Sequence, residues 1–159
     1  MINGGSGDDT IFGGQNSGAL SGTPLAYREG IDYVYGESGN DVLYGNHGAD
    51  FVGGGTGNDK LFGGQDNDTL SGGSGSDTLY GNKGDDLLYG GSDADVFINT
   101  SGNDTIADFS YSEGDRISQT SQTTSITDTG NGALISFEDG NTVQLVGVTA
   151  SSVTSDYFI

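Results

Sequence analysis

The chain has 159 residues, 23 acids against 4 bases, a formal net charge of -19 and no cysteine. A chain this acidic repels phosphate and argues against a nucleic-acid partner. Absence of cysteine removes disulfides and thiolate sites, and no apolar run approaches the ~18 residues of a membrane span.

Length sets one domain. With 31% apolar residues and 31 glycines, composition alone resembles that of disordered chains, so order must come from pattern. Residues 1–3 do not read as a signal peptide. From residue 4 a nine-residue unit repeats, with glycine at its first places, Asp at the sixth and a large apolar residue at the eighth. Unit 1 is 4–12, with Asp9 and Ile11 at places six and eight. Unit 2 opens at Gly13-Gly14, is interrupted, and resumes at Gly30-Ile31-Asp32-Tyr33-Val34-Tyr35; the insert, about 16–29, reads as a loop tolerated by one turn. Units 3 to 9 run without a gap, and their sixth places are Asp41, Asp50, Asp59, Asp68, Asp77, Asp86 and Asp95. A decayed tenth unit keeps Gly102, Asp104 and Ile106, and Gly114-Asp115-Arg116-Ile117 reads as a last half-turn. The polar stretch 118–130 is a loop or weak strand. Residues 133–137 and 142–148 form a hairpin turning on Asp139-Gly140, expected to cap the open end.

The spacing has a physical reading. Nine residues divide into a six-residue turn, where glycine supplies positive φ and close backbone approach, and a three-residue strand whose place eight points inward and places seven and nine outward. Two units make one coil, so units 18 residues apart stack ~4.8 Å apart. One side then carries Asp9, Asp41, Asp59, Asp77 and Asp95, and the other Asp32, Asp50, Asp68, Asp86 and Asp104. Carboxylates in such rows need a cation between them. Ca²⁺ takes six to eight oxygens in flexible geometry, from carboxylates and backbone carbonyls. The turn glycines Gly5, Gly7, Gly39, Gly48, Gly55, Gly57, Gly64, Gly73, Gly75, Gly84 and Gly91 are predicted to offer those carbonyls. Mg²⁺ wants stricter octahedral geometry, and a single histidine does not make a zinc or copper cage. Five Asp per side leave four gaps each, hence about eight ions, bringing about +16 against -19. One apolar side chain per unit is a thin core against the entropy of ordering the chain, so folding is expected to depend on calcium.

These units resemble the RTX (hemolysin-type) calcium-binding nonapeptide repeat over 4–107, with Asn103-Asp104-Thr105-Ile106-Ala107-Asp108-Phe109 similar to its C-terminal flank. The resemblance implies an all-β fold: a right-handed parallel β-roll over 1–107, followed by a capping antiparallel β region over 108–159. It also implies bacterial type I export to the extracellular space or cell surface, with Asp156 before Tyr157-Phe158-Ile159 as the terminal signal. Departures from the glycine pattern are Asn16, Asp66 and Asp93, and Asn46 and Asn82 at second-glycine places; Asn and Asp tolerate positive φ.

No catalytic constellation is legible. The zinc-protease motif H-E-x-x-H and Gly-x-Ser-x-Gly are both absent; His47 and the serines Ser6, Ser38 and Ser74 fall at turn places. Place nine reads Phe12, Tyr44, Phe62, Tyr80 and Ile98 on one sheet, which is either cross-strand packing or a contact face for a polysaccharide or a second copy. The expected function is a secreted, non-enzymatic calcium-binding roll. The alternatives are an auxiliary module of a larger secreted epimerase, lipase or protease, aiding secretion or polysaccharide binding, and a self-assembling surface protein.

Overall fold

The structure is a computed structural model that describes residues 1–13, 30–98, 100–119 and 121–159. The expected insert loop at 16–29, and Asn16 with it, lie outside the described residues. Strands follow one another as β1 (Ile2–Ser6), β2 (Thr10–Phe12), β3 (Tyr33–Ser38), β4 (Val42–His47), β5 (Phe51–Thr56), β6 (Lys60–Gln65), β7 (Thr69–Ser74), β8 (Thr78–Lys83), β9 (Leu87–Ser92), β10 (Val96–Ile98), β11 (Asn103–Ile106), β12 (Arg116–Ser118), β13 (Thr123–Thr129), β14 (Gly132–Phe137) and β15 (Thr142–Val146).

Successive strands alternate between two sheets. One runs β1-β3-β5-β7-β9-β11-β15-β14-β13, the other β12-β10-β8-β6-β4-β2. Within the repeats every pairing is parallel, and Val52 faces Leu70 as Leu61 faces Leu79, which is the 18-residue coil. The architecture is therefore a parallel β-solenoid closed by an antiparallel cap. Place eight of every unit is buried, from Ile11 and Val34 through Leu43, Leu61 and Leu79 to Ile106, and Ile117 continues the row. This single file of side chains between two sheets is the whole core of the roll.

The strands are longer than the three residues the repeat implies. Pairing continues through the glycines to place three, as Gly55↔Gly73 and Thr56↔Ser74 show. Glycine has a weak strand preference, so composition conceals this extension. From Gly36 to Gly90 the first-place glycine is buried, on the inner side with place eight, whereas Gly4 is exposed; the second place bends the chain with positive φ. Asn46, Asp66, Asn82 and Asp93 all take positive φ, as does Glu37, which the sequence does not flag. Their φ values of 75–84° stay near the left-handed helical basin, whereas glycines of the same turns range from 102° to 142°.

The outward rings of place nine stack face to face: Phe12 on Tyr44, Tyr44 on Phe62 and Phe62 on Tyr80, with centroids 4.8, 4.7 and 4.5 Å apart and planes within 14°. Each ring covers its neighbour's face, so the row offers edges to solvent and reads as cross-strand packing.

At the far end β15 pairs in parallel with β11, Asn103 opposite Thr142, and turns back antiparallel through β14 to β13. The stretch 118–130 therefore contains a strand, β13, with Thr and Ser side chains largely exposed on both faces. The tail returns to the other sheet. Phe158 bridges Ile117, the Ile159 amide donates to the Ile117 carbonyl at 3.1 Å, and Tyr157 stacks on Phe109 and Tyr111. Among the described residues, no helix is long and apolar enough to cross a membrane.

Candidate metal centre

Each sixth-place aspartate ends a turn and starts a strand. The turn brings its carboxylate back under the backbone of the coil before it. The Asp9 amide donates to Asp41 Oδ1, Asp32 to Asp50, Asp41 to Asp59, Asp50 to Asp68, Asp59 to Asp77, Asp68 to Asp86, Asp77 to Asp95 and Asp86 to Asp104. The ten aspartates singled out from the sequence thus stand in the two expected columns. The Asp9–Asp41 step closes at 2.7 Å although 32 residues separate the pair.

A ninth step was missed. The Asp95 amide donates to Asp115 Oδ1 at 3.0 Å across 20 residues, so Asp115 extends the first column. Two extra residues break the period; the signal that survives is Asp115-Arg116-Ile117, which repeats the pattern of places six to eight. Asp115 differs from its predecessors because Oδ2 is also satisfied, by the Ser110 amide at 2.8 Å. Asp108, just upstream, accepts from the Gly90 and Gly91 amides at 3.0 and 3.1 Å. A lateral ladder runs at place five, where the Asn58 amide donates to Asn40 Oδ1 and the Ser76 amide to Asn58 Oδ1.

One hydrogen bond leaves the other carboxylate oxygen to be accounted for. In Asp9, Asp41, Asp50, Asp59, Asp68, Asp77, Asp86 and Asp95, Oδ2 is buried and has no donor among the described residues. A buried acceptor without a donor costs on the order of 1–3 kcal/mol, more when charged. Each such oxygen lies beside the first glycine of its own unit, and for Asp9, Asp41, Asp50, Asp59, Asp68 and Asp77 the same space also meets the carbonyl of the first glycine one coil on. A Cβ built on Gly45 would stand 2.7 Å from Asp50 Oδ2 and 2.5 Å from Gly63 O; one on Gly4 would meet Asp9 Oδ2 at 2.6 Å and Gly36 O at 2.9 Å. Gly36, Gly54, Gly63 and Gly72 repeat the arrangement. Only a residue without a Cβ leaves this space open between a carboxylate and a carbonyl.

Burial acts on these acids accordingly. Desolvation, opposed by the backbone hydrogen bond and reinforced by neighbouring carboxylates, raises Asp50 to about 6, Asp77, Asp95 and Asp104 to about 7, and Asp68 to about 8. Asp59, Asp86 and Asp115 are raised for the same leading reason. Among the described residues no three His, Cys, Asp or Glu side chains converge. The oxygens that meet in these spaces are carboxylate and backbone carbonyl, hard donors that suit Ca²⁺ rather than a softer metal.

A family model described as the RTX calcium-binding nonapeptide repeat matches residues 1–18, 28–61, 48–79, 62–97 and 71–106, more than half of the chain. No curated protein sequence matches. Among solved structures, the chain is similar to the extracellular lipase LipA of Serratia marcescens at 17% identity and a TM-score of 0.45, covering 96% of this chain and 38% of the lipase. It is also similar to a subunit of the mannuronan C5-epimerase of Azotobacter vinelandii at 20% identity and a TM-score of 0.29, covering 89% of this chain and 84% of that one.

Proposed function

The chain belongs to the RTX calcium-binding nonapeptide repeat family, and from that premise we propose that it is a non-enzymatic module that is disordered without calcium and folds outside the cell when calcium fills the gaps between coils. The observation that carries this reading is the row of buried Oδ2 atoms without donors among the described residues, six of them sharing a Cβ-sized space with a glycine carbonyl. The sixth-place aspartates Asp9, Asp32, Asp41, Asp50, Asp59, Asp68, Asp77, Asp86, Asp95 and Asp104, with Asp115, supply the carboxylates; turn carbonyls complete each shell. Nine stacked steps give nine gaps, one more than the eight counted from the repeats. Nine ions would bring +18 against -19 and leave -1. Extracellular calcium modules bind at about 10⁻⁴–10⁻³ M, so the chain would stay unfolded in a calcium-poor cytoplasm and be fit for type I export, with the C-terminal tail as its signal.

The test is far-UV circular dichroism of the full chain during a calcium titration, with Mg²⁺ as control. A coil spectrum in chelator should convert cooperatively to strand with calcium and not with Mg²⁺. A complete strand signal already present in chelator at neutral pH would refute the folding claim.

A further inference from the structure

The outward rings at place nine stack without a gap from Phe12 to Tyr80 on the six-stranded sheet, but on the other sheet the row is interrupted. On β3, β5, β7 and β9 it reads Tyr35, Gly53, Ser71 and Tyr89, each opposite the next in register. The place-seven row beside it reads Tyr33, Phe51, Thr69 and Leu87. Tyr33, Phe51 and Tyr89 are exposed. Both rows are uncharged, in a chain that has 23 acids. The one acid on these four strands, Glu37, lies beyond place nine on β3 and accepts from Asn3 Nδ2 at 3.1 Å.

Strand β7 runs between two walls. Phe51 stacks on Tyr33 with centroids 4.9 Å apart and planes 3° apart, so its other face is turned towards β7. A Cβ built on Gly53 would stand 3.0 and 3.3 Å from Cδ1 and Cε1 of Tyr35; that ring leans over Gly53 and continues the same wall at place nine. Leu87 and Tyr89 form the far wall. The floor is Thr69 and Ser71, whose hydroxyls make no hydrogen bond among the described residues. From β5 to β9 is two steps of ~4.8 Å, which is room for one ring at the 4.5–4.9 Å spacing of the stacked rows. Between place seven and place nine the trough extends about 7 Å, the reach of two fused six-membered rings.

We propose that this trough binds an uncharged, planar, bicyclic aromatic molecule standing on edge. One of its rings lies between Phe51 and Leu87 and the other between Tyr35 and Tyr89, with a polar group of the ligand on the Thr69 or Ser71 hydroxyl. Ring stacking on the aromatic walls adds to what area burial supplies. Charge selects a neutral ligand: an anion meets the field of a chain of charge -19, and a cation finds no counter-charge on either row. An aromatic side chain of a protein partner is the poorer occupant, because a protein interface buries about 800 Å² on each partner and the trough is one ring wide. The proposal rests on the calcium reading in one respect: walls and floor come together only when β5, β7 and β9 pair.

The experiment uses the full chain in saturating calcium, with strand content verified by circular dichroism, so a failure to fold is told apart from a failure to bind. 2-Naphthol is titrated calorimetrically at neutral pH beside decahydro-2-naphthol, which has the same outline but is neither flat nor aromatic. 2-Naphthol should bind with simple one-to-one stoichiometry, and tighter than the saturated ring. Ser71→Tyr, which sets a ring of the chain's own in the trough, should abolish binding. Tyr89→Ala, which removes one wall, should weaken it roughly two- to tenfold. Thr78→Tyr, on a strand of the other sheet, should leave it unchanged. If Ser71→Tyr does not fold, Tyr89→Ala carries the test. The proposal is overturned by no binding of 2-naphthol to the folded chain, by equal affinity for decahydro-2-naphthol, or by unchanged affinity in Ser71→Tyr or Tyr89→Ala. Self-association in calcium that Ser71→Tyr abolishes, with no 2-naphthol bound, would assign the trough to a second copy instead.

Discussion

Substituting Gly54 by Ala isolates the cradle from every other property of the turn. Gly54 is a buried first-place glycine whose φ is not positive, so alanine is free of backbone strain there. Its Cβ would overlap Asp59 Oδ2 and Gly72 O, the two oxygens that face each other across the gap. Excluding one ion removes about 4 kcal/mol at a thousandfold excess over Kd. Where folding and binding are one transition, the eight ions left of nine must make up the deficit. Each supplies about 0.5 kcal/mol, which is a roughly two- to threefold higher calcium midpoint. Overpacking against the Gly72 backbone adds about 1–3 kcal/mol, so two- to threefold is a lower bound. Gly130→Ala is the control: a Cβ there meets nothing within 4 Å. The assay is the calcium midpoint by circular dichroism together with stoichiometry by calorimetry. A Gly54→Ala chain that titrates like the unaltered one and binds as many ions would refute the claim that the metal sits beside this glycine.

Acidity provides a second test. The folded-state values of about 6 to 8 for Asp50, Asp68, Asp77, Asp95 and Asp104 lie above an unfolded carboxylate's ~3.9. A raised folded value means that the metal-free roll holds its protons more tightly than the coil does. That stabilisation is whole below about pH 4 and is lost as pH rises through 6 to 8. In chelator, strand content should therefore rise from pH 8 to pH 5, while the calcium midpoint climbs because protons compete for the same oxygens; a spectrum insensitive to pH would count against both. Asp115→Ala strands the Asp95 and Ser110 amides, and should cost about 2–6 kcal/mol, read as a lower melting temperature in calcium. Tyr157→Ala removes a buried ring stacked on Phe109 and Tyr111 and should cost about 3–5 kcal/mol in the same melt; an unchanged melting temperature would show that the tail does not close the roll.

The repeats were legible because period and chemistry point the same way. Leu43, Leu61 and Leu79 recur every 18 residues and pair strand to strand, and the aspartates two places upstream follow them into columns. Asp115 was not assigned to a column because two additional residues separate it from Asp95 and the counting fails there. The strand β13 was obscured by a Thr- and Ser-rich sequence whose side chains are solvated, so alternation carries no hydrophobic signal. The pairing of β15 with β11 joins residues 39 apart, such as Asn103 and Thr142, and no local pattern encodes it. Which oxygen of each carboxylate is held by an amide and which is left over depends on how the coils are offset, a quantity that exists only in three dimensions.

The step from Asp9 to Asp41 spans nearly twice the chain of its fellows yet closes with the same bond. Coil height is thus dictated by what neighbouring coils exchange, whatever length of polypeptide lies between them. That corner is a natural grafting point: a foreign loop or epitope spliced in there would be carried at a fixed level on the axis, leaving the rungs above and below undisturbed. On the proposed calcium dependence, such cargo would be displayed where the ion is plentiful and withheld where it is scarce.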